Sequence, residues 1–99
     1  MDATASFKTV NAVRYLSMLS RHFAKKLEVT VRHHTARIVF PFGYCAMSAD
    51  EQRLHLVATA QNQDDLDKVE EVISSHLDRY AFRENPQLLW KQVSNAPDF

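Results

Sequence analysis

Ile38-Val39-Phe40-Pro41-Phe42-Gly43-Tyr44-Cys45-Ala46-Met47 is the longest apolar stretch of the chain, and the arrangement of everything else turns on it. Proline at the second place of Phe40-Pro41-Phe42-Gly43 presets φ for a type I turn, and glycine at the fourth suits a left-handed bulge. Read so, the stretch is a tight hairpin, with a strand over 37–40 running in and one over 44–48 running out. The competing reading is one long strand bent at Gly43. The choice fixes the helices too. With a hairpin the strand directions alternate and the two helices run antiparallel; with a bent strand they run parallel.

Upstream, Leu27, Val29 and Val31 alternate with Glu28, Thr30 and Arg32, the period of a half-buried strand. His33-His34-Thr35 turns it into the hairpin. Before it, apolar residues at 12, 16, 19, 23 and 27 repeat at the helical period, with Tyr15 widening the stripe, so residues 12–26 are a predicted helix capped by Asn11. Lys25 and Lys26 fall in its last turn, where positive charge suits the helix dipole. Residues 5–9 are a predicted short strand. Downstream, Leu54, Leu56 and Ala58 mark another alternating strand over 54–60. Asn62 then caps a second helix, whose stripe is Leu66, Val69, Ile73, His76 and Tyr80. Residues 88–93 add a last strand. The predicted order is β-α-β-β-β-β-α-β: an α+β fold in which both helices cover one face of an antiparallel sheet.

Ninety-nine residues make one domain, predicted over 1–93, with a flexible tail over 94–99. Twelve basic and twelve acidic residues cancel, which speaks against a nucleic-acid partner, since that affinity rests on excess Lys and Arg. A single cysteine builds neither a disulfide framework nor a cysteine-based zinc site. No apolar run is long enough for a signal peptide or a membrane span, so the expected location is cytoplasmic, with no membrane partner.

The segments Arg14-Tyr15-Leu16, His22-Phe23-Ala24, Phe40-Pro41-Phe42-Gly43 and above all residues 75–84, Ser-His-Leu-Asp-Arg-Tyr-Ala-Phe-Arg-Glu, resemble the bacterial domain-of-unknown-function family 2218. The likeness runs from about Ser6 to Trp90. Family members often carry a histidine before the lysine that here is Lys26, where this chain has Lys25. The resemblance implies a fold similar to TATA-box-binding-protein-like and phosphohexomutase C-terminal sheets. It also implies an association with siderophore-interacting, iron-related bacterial proteins. It assigns no catalytic or binding residue.

Five histidines are the candidate acid-base or metal-binding groups, and none forms a helical His-x-x-x-His pair. His33 and His34 belong to a turn and His55 to the outward side of its strand, so all three are expected in solvent. His76 lies on the apolar stripe of the second helix, either as a hydrogen-bonded core imidazole or as a pocket wall. His22 borders the stripe of the first helix near its C-terminus. Under the hairpin reading both are late in antiparallel helices, which places them at opposite ends of the helical layer. Cys45, inside the apolar segment, is expected to be buried and inert. In Arg79-Tyr80-Ala81-Phe82-Arg83 the guanidinium groups could cradle a carboxylate or phosphate; the plainer reading has Phe82 anchoring the helix end.

Charge is split along the chain. Residues 1–49 carry seven basic groups against two acidic, and residues 50–99 carry five against ten. With no phosphate loop, paired carboxylates, metal motif or nucleophile triad, no catalytic residue, metal ligand or cofactor is predicted. The favoured expectation is a non-catalytic module binding a small anionic ligand or a protein partner, through Arg14, His22, His76 and Arg79. Two other classes stand beside it: a homo-oligomeric structural module, and a histidine-based metal or haem site.

Overall fold

A computed structural model describes residues 1–93 and holds six strands and two helices. In chain order they are β1 (Asp2–Lys8), α1 (Ala12–Ala24), β2 (Glu28–Arg32), β3 (Thr35–Phe40), β4 (Gly43–Ala49), β5 (Arg53–Thr59), α2 (Gln63–Tyr80) and β6 (Lys91–Val93). The tail expected over 94–99 lies outside the described residues. One sheet takes the order β2-β3-β4-β5-β1-β6, and every neighbouring pair is antiparallel. The α+β reading holds.

The hairpin reading holds as well, because Phe40 pairs with Gly43 across a two-residue loop. Its glycine is there for a different reason than a left-handed turn. Gly43 does not have a positive φ. A Cβ on it would stand 2.4 Å from the Thr59 carbonyl oxygen and 3.0 Å from Val69 Cγ2. The position needs a bare backbone because β5 and α2 close over it. The left-handed residues are instead His33, in the β2–β3 turn, and Asn85.

The inner face of the sheet is read off the register. Val29, Ile38, Cys45, Ala58 and Ala3 form one row across the strands, and Val31, Ala36, Met47, Leu56 and Ala5 the next. Leu16, Leu19 and Phe23 of α1 and Leu66, Val69, Ile73 and Leu77 of α2 join these rows in one core. Burying such side chains supplies roughly 1.5–3 kcal/mol apiece before conformational entropy is charged against it.

The two helices start differently. Asn62 caps α2 as expected, its side-chain oxygen accepting the Asp65 N–H at 2.9 Å. Asn11 makes no side-chain cap for α1. Its own N–H donates to Thr9 Oγ1 at 3.0 Å. At the far end of α2, Ala81 is buried while Phe82 is 68 % exposed, so Phe82 does not anchor the helix. The chain past α2 is tied back by Trp90, whose Nε1–H donates to Ser74 Oγ at 2.8 Å. The last strand is shorter than the 88–93 expected, covering only Lys91–Val93. Among the described residues no helix is long and apolar enough to cross a membrane.

Because α1 follows β1, α2 follows β5, and β1 and β5 are antiparallel, the helices run antiparallel. They are not flush. Tyr15, in the first turn of α1, reaches Glu84, beyond the end of α2. The 13-residue α1 therefore lies against only the C-terminal part of the 18-residue α2 and the turn that follows it. This offset brings the last turn of α1 level with His76.

Candidate functional site

His22 and His76 meet with ring centroids 4.7 Å apart and planes tilted by 49°, which corrects the expectation that they lie at opposite ends. The helix directions are as expected; what moves the two histidines together is the offset of the helices along their axes. Phe23 meets His76 at 4.8 Å, and Tyr80 meets His22 edge-on at 6.1 Å. The orientation of His76 is set by its own helix: Nδ1–H donates to the Val72 carbonyl oxygen at 2.7 Å, leaving Nε2 without a hydrogen bond among the described residues. His76 is half-buried and hydrogen-bonded within its own helix, beside the core rather than in it.

Electrostatics at His22 point one way. Loss of solvent lowers its pKa, and His76, Lys25 and Arg79 each add to the lowering. Among the described residues, ion pairs join only His55 with Asp50 and Lys68 with Asp65, so no carboxylate pairs with these basic groups. The negative end of the α1 dipole falls here and favours Lys25. It does not account for a second imidazole and a guanidinium from the other helix.

Beside His22 opens a cavity of about 390 Å³. Phe23, Phe40 and Phe42 supply an aromatic wall, with Lys25 and Lys26 at its edge. Phe40 packs edge-on against Phe23 at 5.3 Å and stacks on Phe42 at 5.2 Å, so the Pro41 hairpin presents its aromatics to the end of α1. Arg14 lies elsewhere. It lines a separate cleft of about 400 Å³ with Tyr15, Tyr80 and Glu84. Of the four residues singled out in sequence, His22 meets His76, Arg79 is near enough to act on His22 by its charge, and Arg14 stands apart; of the four, His22 alone lines the cavity beside the Pro41 hairpin. Sequence reasoning passed over Phe40, Phe42 and the lysine pair as ligand-facing groups. The signal available was the aromatic content of the turn itself.

Sequence reasoning also missed a polar knot around Glu84. Its carboxylate accepts from Thr9 Oγ1 at 2.6 Å, from Asn11 Nδ2 at 3.2 Å and from the Tyr15 hydroxyl. The donors Thr9 and Tyr15 hold the Glu84 carboxyl below the usual carboxylate range. Burial and Glu84 itself raise the Tyr15 phenol. This knot ties the β1–α1 connection to the end of α2 and so maintains the helix offset.

Other candidates carry no reactive arrangement. Cys45 is fully buried, and burial pushes its thiol up to about 12, far from the thiolate a nucleophile needs. His33 and His34 are exposed, as is His55, which faces outward at 3.3 Å from Asp50. Among the described residues no three histidine, cysteine or acidic side chains gather as a metal site would require.

Over residues 4–91 the chain matches the family described as an uncharacterized protein conserved in bacteria (DUF2218), and it belongs to that family. A solved structure titled as the NMR structure of PA4090 from Pseudomonas aeruginosa is similar to it, with a TM-score of 0.79 and 26 % identity, covering 91 % of this chain and 94 % of that one. No curated protein matches.

Proposed function

We propose that this bacterial domain is a non-catalytic binding module for a small organic anion, held where the end of α1 meets α2 and the Pro41 hairpin. The observation that carries this reading is that His22 lies against His76 and within reach of the charges of Lys25 and Arg79, with no ion-paired carboxylate on any of them among the described residues. Burial, and after it the repulsion of His76, Lys25 and Arg79, holds His22 below its ordinary pKa, and an anion there would offset the repulsion. The adjoining aromatic wall suits a ligand with an apolar or aromatic body, and the cavity volume fits the small-molecule range of roughly 300–1,000 Å³. His22, His76 and Arg79 would face the charged end, with Lys25 and Lys26 at the rim. Arg14 would serve only a ligand long enough to pass Tyr80.

The association with iron handling implied by the family resemblance enters as a choice of probe. Benzoate supplies the charge and the ring; 2,3-dihydroxybenzoate adds a catechol that chelates ferric iron. Either should raise the melting temperature of the protein, since a ligand binding only the native state stabilises it by mass action. Replacing Arg79 by Ala, or His22 by Gln, should weaken binding about tenfold, as expected for losing one charge-assisted contact of roughly 1.5 kcal/mol. Unchanged melting with benzoate and with 2,3-dihydroxybenzoate, alone or with ferric ion, would overturn the proposal.

A further inference from the structure

The sheet ends on one side at β2, Glu28-Val29-Thr30-Val31-Arg32, whose outer edge pairs with nothing among the described residues. The opposite edge, β6, has only three residues and leads into the chain outside the described residues. Arg32 and Thr35 flank a two-residue turn and so bond to each other. Alternation along an antiparallel ladder then turns Glu28, Thr30 and Arg32 toward β3, and directs the N–H and C=O groups of Val29 and Val31 to the open edge. Unpaired backbone groups of this kind are a template for another strand. β2 carries no proline and no inward charge to block one.

We infer that β2 is the contact surface for a second copy of this chain, which pairs β2 to β2 about a twofold axis through Thr30 and continues the sheet across the two molecules. This goes beyond the ligand reading and does not depend on it. The pentapeptide is self-complementary in that register. Val29 stands opposite the partner copy's Val31, and these two positions expose the backbone groups needed for hydrogen bonds. Glu28 stands opposite the partner copy's Arg32, twice by symmetry, on the outer face. Within one chain Glu28 and Arg32 are opposite uncharged Val39 and Thr35, and neither side chain has a hydrogen-bond or ion-pair partner among the described residues. Val31, 53 % exposed although it points to the core face, would be covered.

The helix beside this edge agrees. Val13, Ser17, Ser20 and Ala24 fall at helical spacing on the flank of α1 opposite the one that meets α2 through Met18 and His22. Val13 is 41 % exposed there, and the rest are small. Arg21 reaches over this flank, its Nη2–H donating to Ser17 Oγ at 3.3 Å, and swings aside into solvent where two copies of α1 approach over the joined strands. An isologous contact of this kind closes at two copies.

Sedimentation of the full chain at about 100 µM, a concentration suited to a micromolar dimer, should give the mass of two chains. Glu28→Arg and Arg32→Glu each set like charges opposite one another in both pairs, and each should raise the dimer dissociation constant about tenfold. Mixing the two variant chains restores both pairs and should restore the dimer. Val31→Pro removes an outward N–H without touching the β3 ladder, and should give a folded monomer by circular dichroism. Should that variant fail to fold, the two charge reversals, both on exposed side chains, still decide the question. A wild-type monomer at that concentration, a dimer indifferent to both reversals, or a mixture that stays monomeric would each overturn the inference.

Discussion

At the residue scale, Gly43 and Cys45 show what sequence reading reaches and where it stops. The glycine was legible as a requirement of the hairpin, but its cause was not, because Thr59 and Val69 approach it only after β5 and α2 have packed. Gly43→Ala should therefore destabilise the fold by about 1–3 kcal/mol, the usual cost of overpacking, although no left-handed φ is at stake. Urea denaturation checks this, and an unchanged midpoint would contradict it. Cys45 was legible in full, since its neighbours Tyr44, Ala46 and Met47 are all apolar. Its thiol should react with an aromatic disulfide reagent only when the protein unfolds; rapid labelling of the native protein would contradict its burial.

Glu84 belongs to the same scale and was invisible in sequence. Its donors are 69 to 75 positions away along the chain. Because its folded pKa is depressed, its contribution to stability is present above the ordinary carboxylate pKa and is lost as pH falls through the lowered folded value. Glu84→Gln removes that titration. Between neutral pH and pH of about 3, the wild type should lose more stability than the variant, and parallel losses in thermal melts would contradict the assignment.

At the element scale, the helices were legible because their stripes repeat over several turns, and α2 was legible to its first residue because Asn62 is a true cap. α1 was misread at its cap and at its end, stopping at Ala24 rather than at the expected residue 26. Asn62→Ala should cost about 1 kcal/mol, whereas Asn11→Ala should lose only its contact to Glu84. Equal costs in denaturation experiments would contradict the distinction. Ile73, fully buried between α2 and the sheet, should cost about 2–5 kcal/mol when cut to Ala. The offset between the helices was not legible. Direction follows from counting strands, but register depends on helix lengths and on the knot that ties Tyr15 to Glu84.

At the scale of the whole molecule, that offset is what makes a site. Flush antiparallel helices would part His22 from His76; the displaced pair brings basic groups from both helices to a shared end, beside the aromatics of the Pro41 hairpin. The charge split seen along the sequence is thereby only half the story, since Arg79 belongs to the acidic half of the chain and yet stands with the basic groups of α1. Of the four residues chosen from sequence, His22 and His76 meet and Arg79 acts on His22 by its charge, and the aromatic wall was supplied by a turn read only for its geometry.

The most direct measurement is the titration of His22 by proton NMR, followed with and without benzoate. Loss of solvent, with His76, Lys25 and Arg79 adding to it, predicts a pKa below the ordinary histidine value in the free protein, rising when benzoate is added, because the bound carboxylate favours the protonated ring. A His22 that titrates at the ordinary value and is indifferent to benzoate would contradict the account.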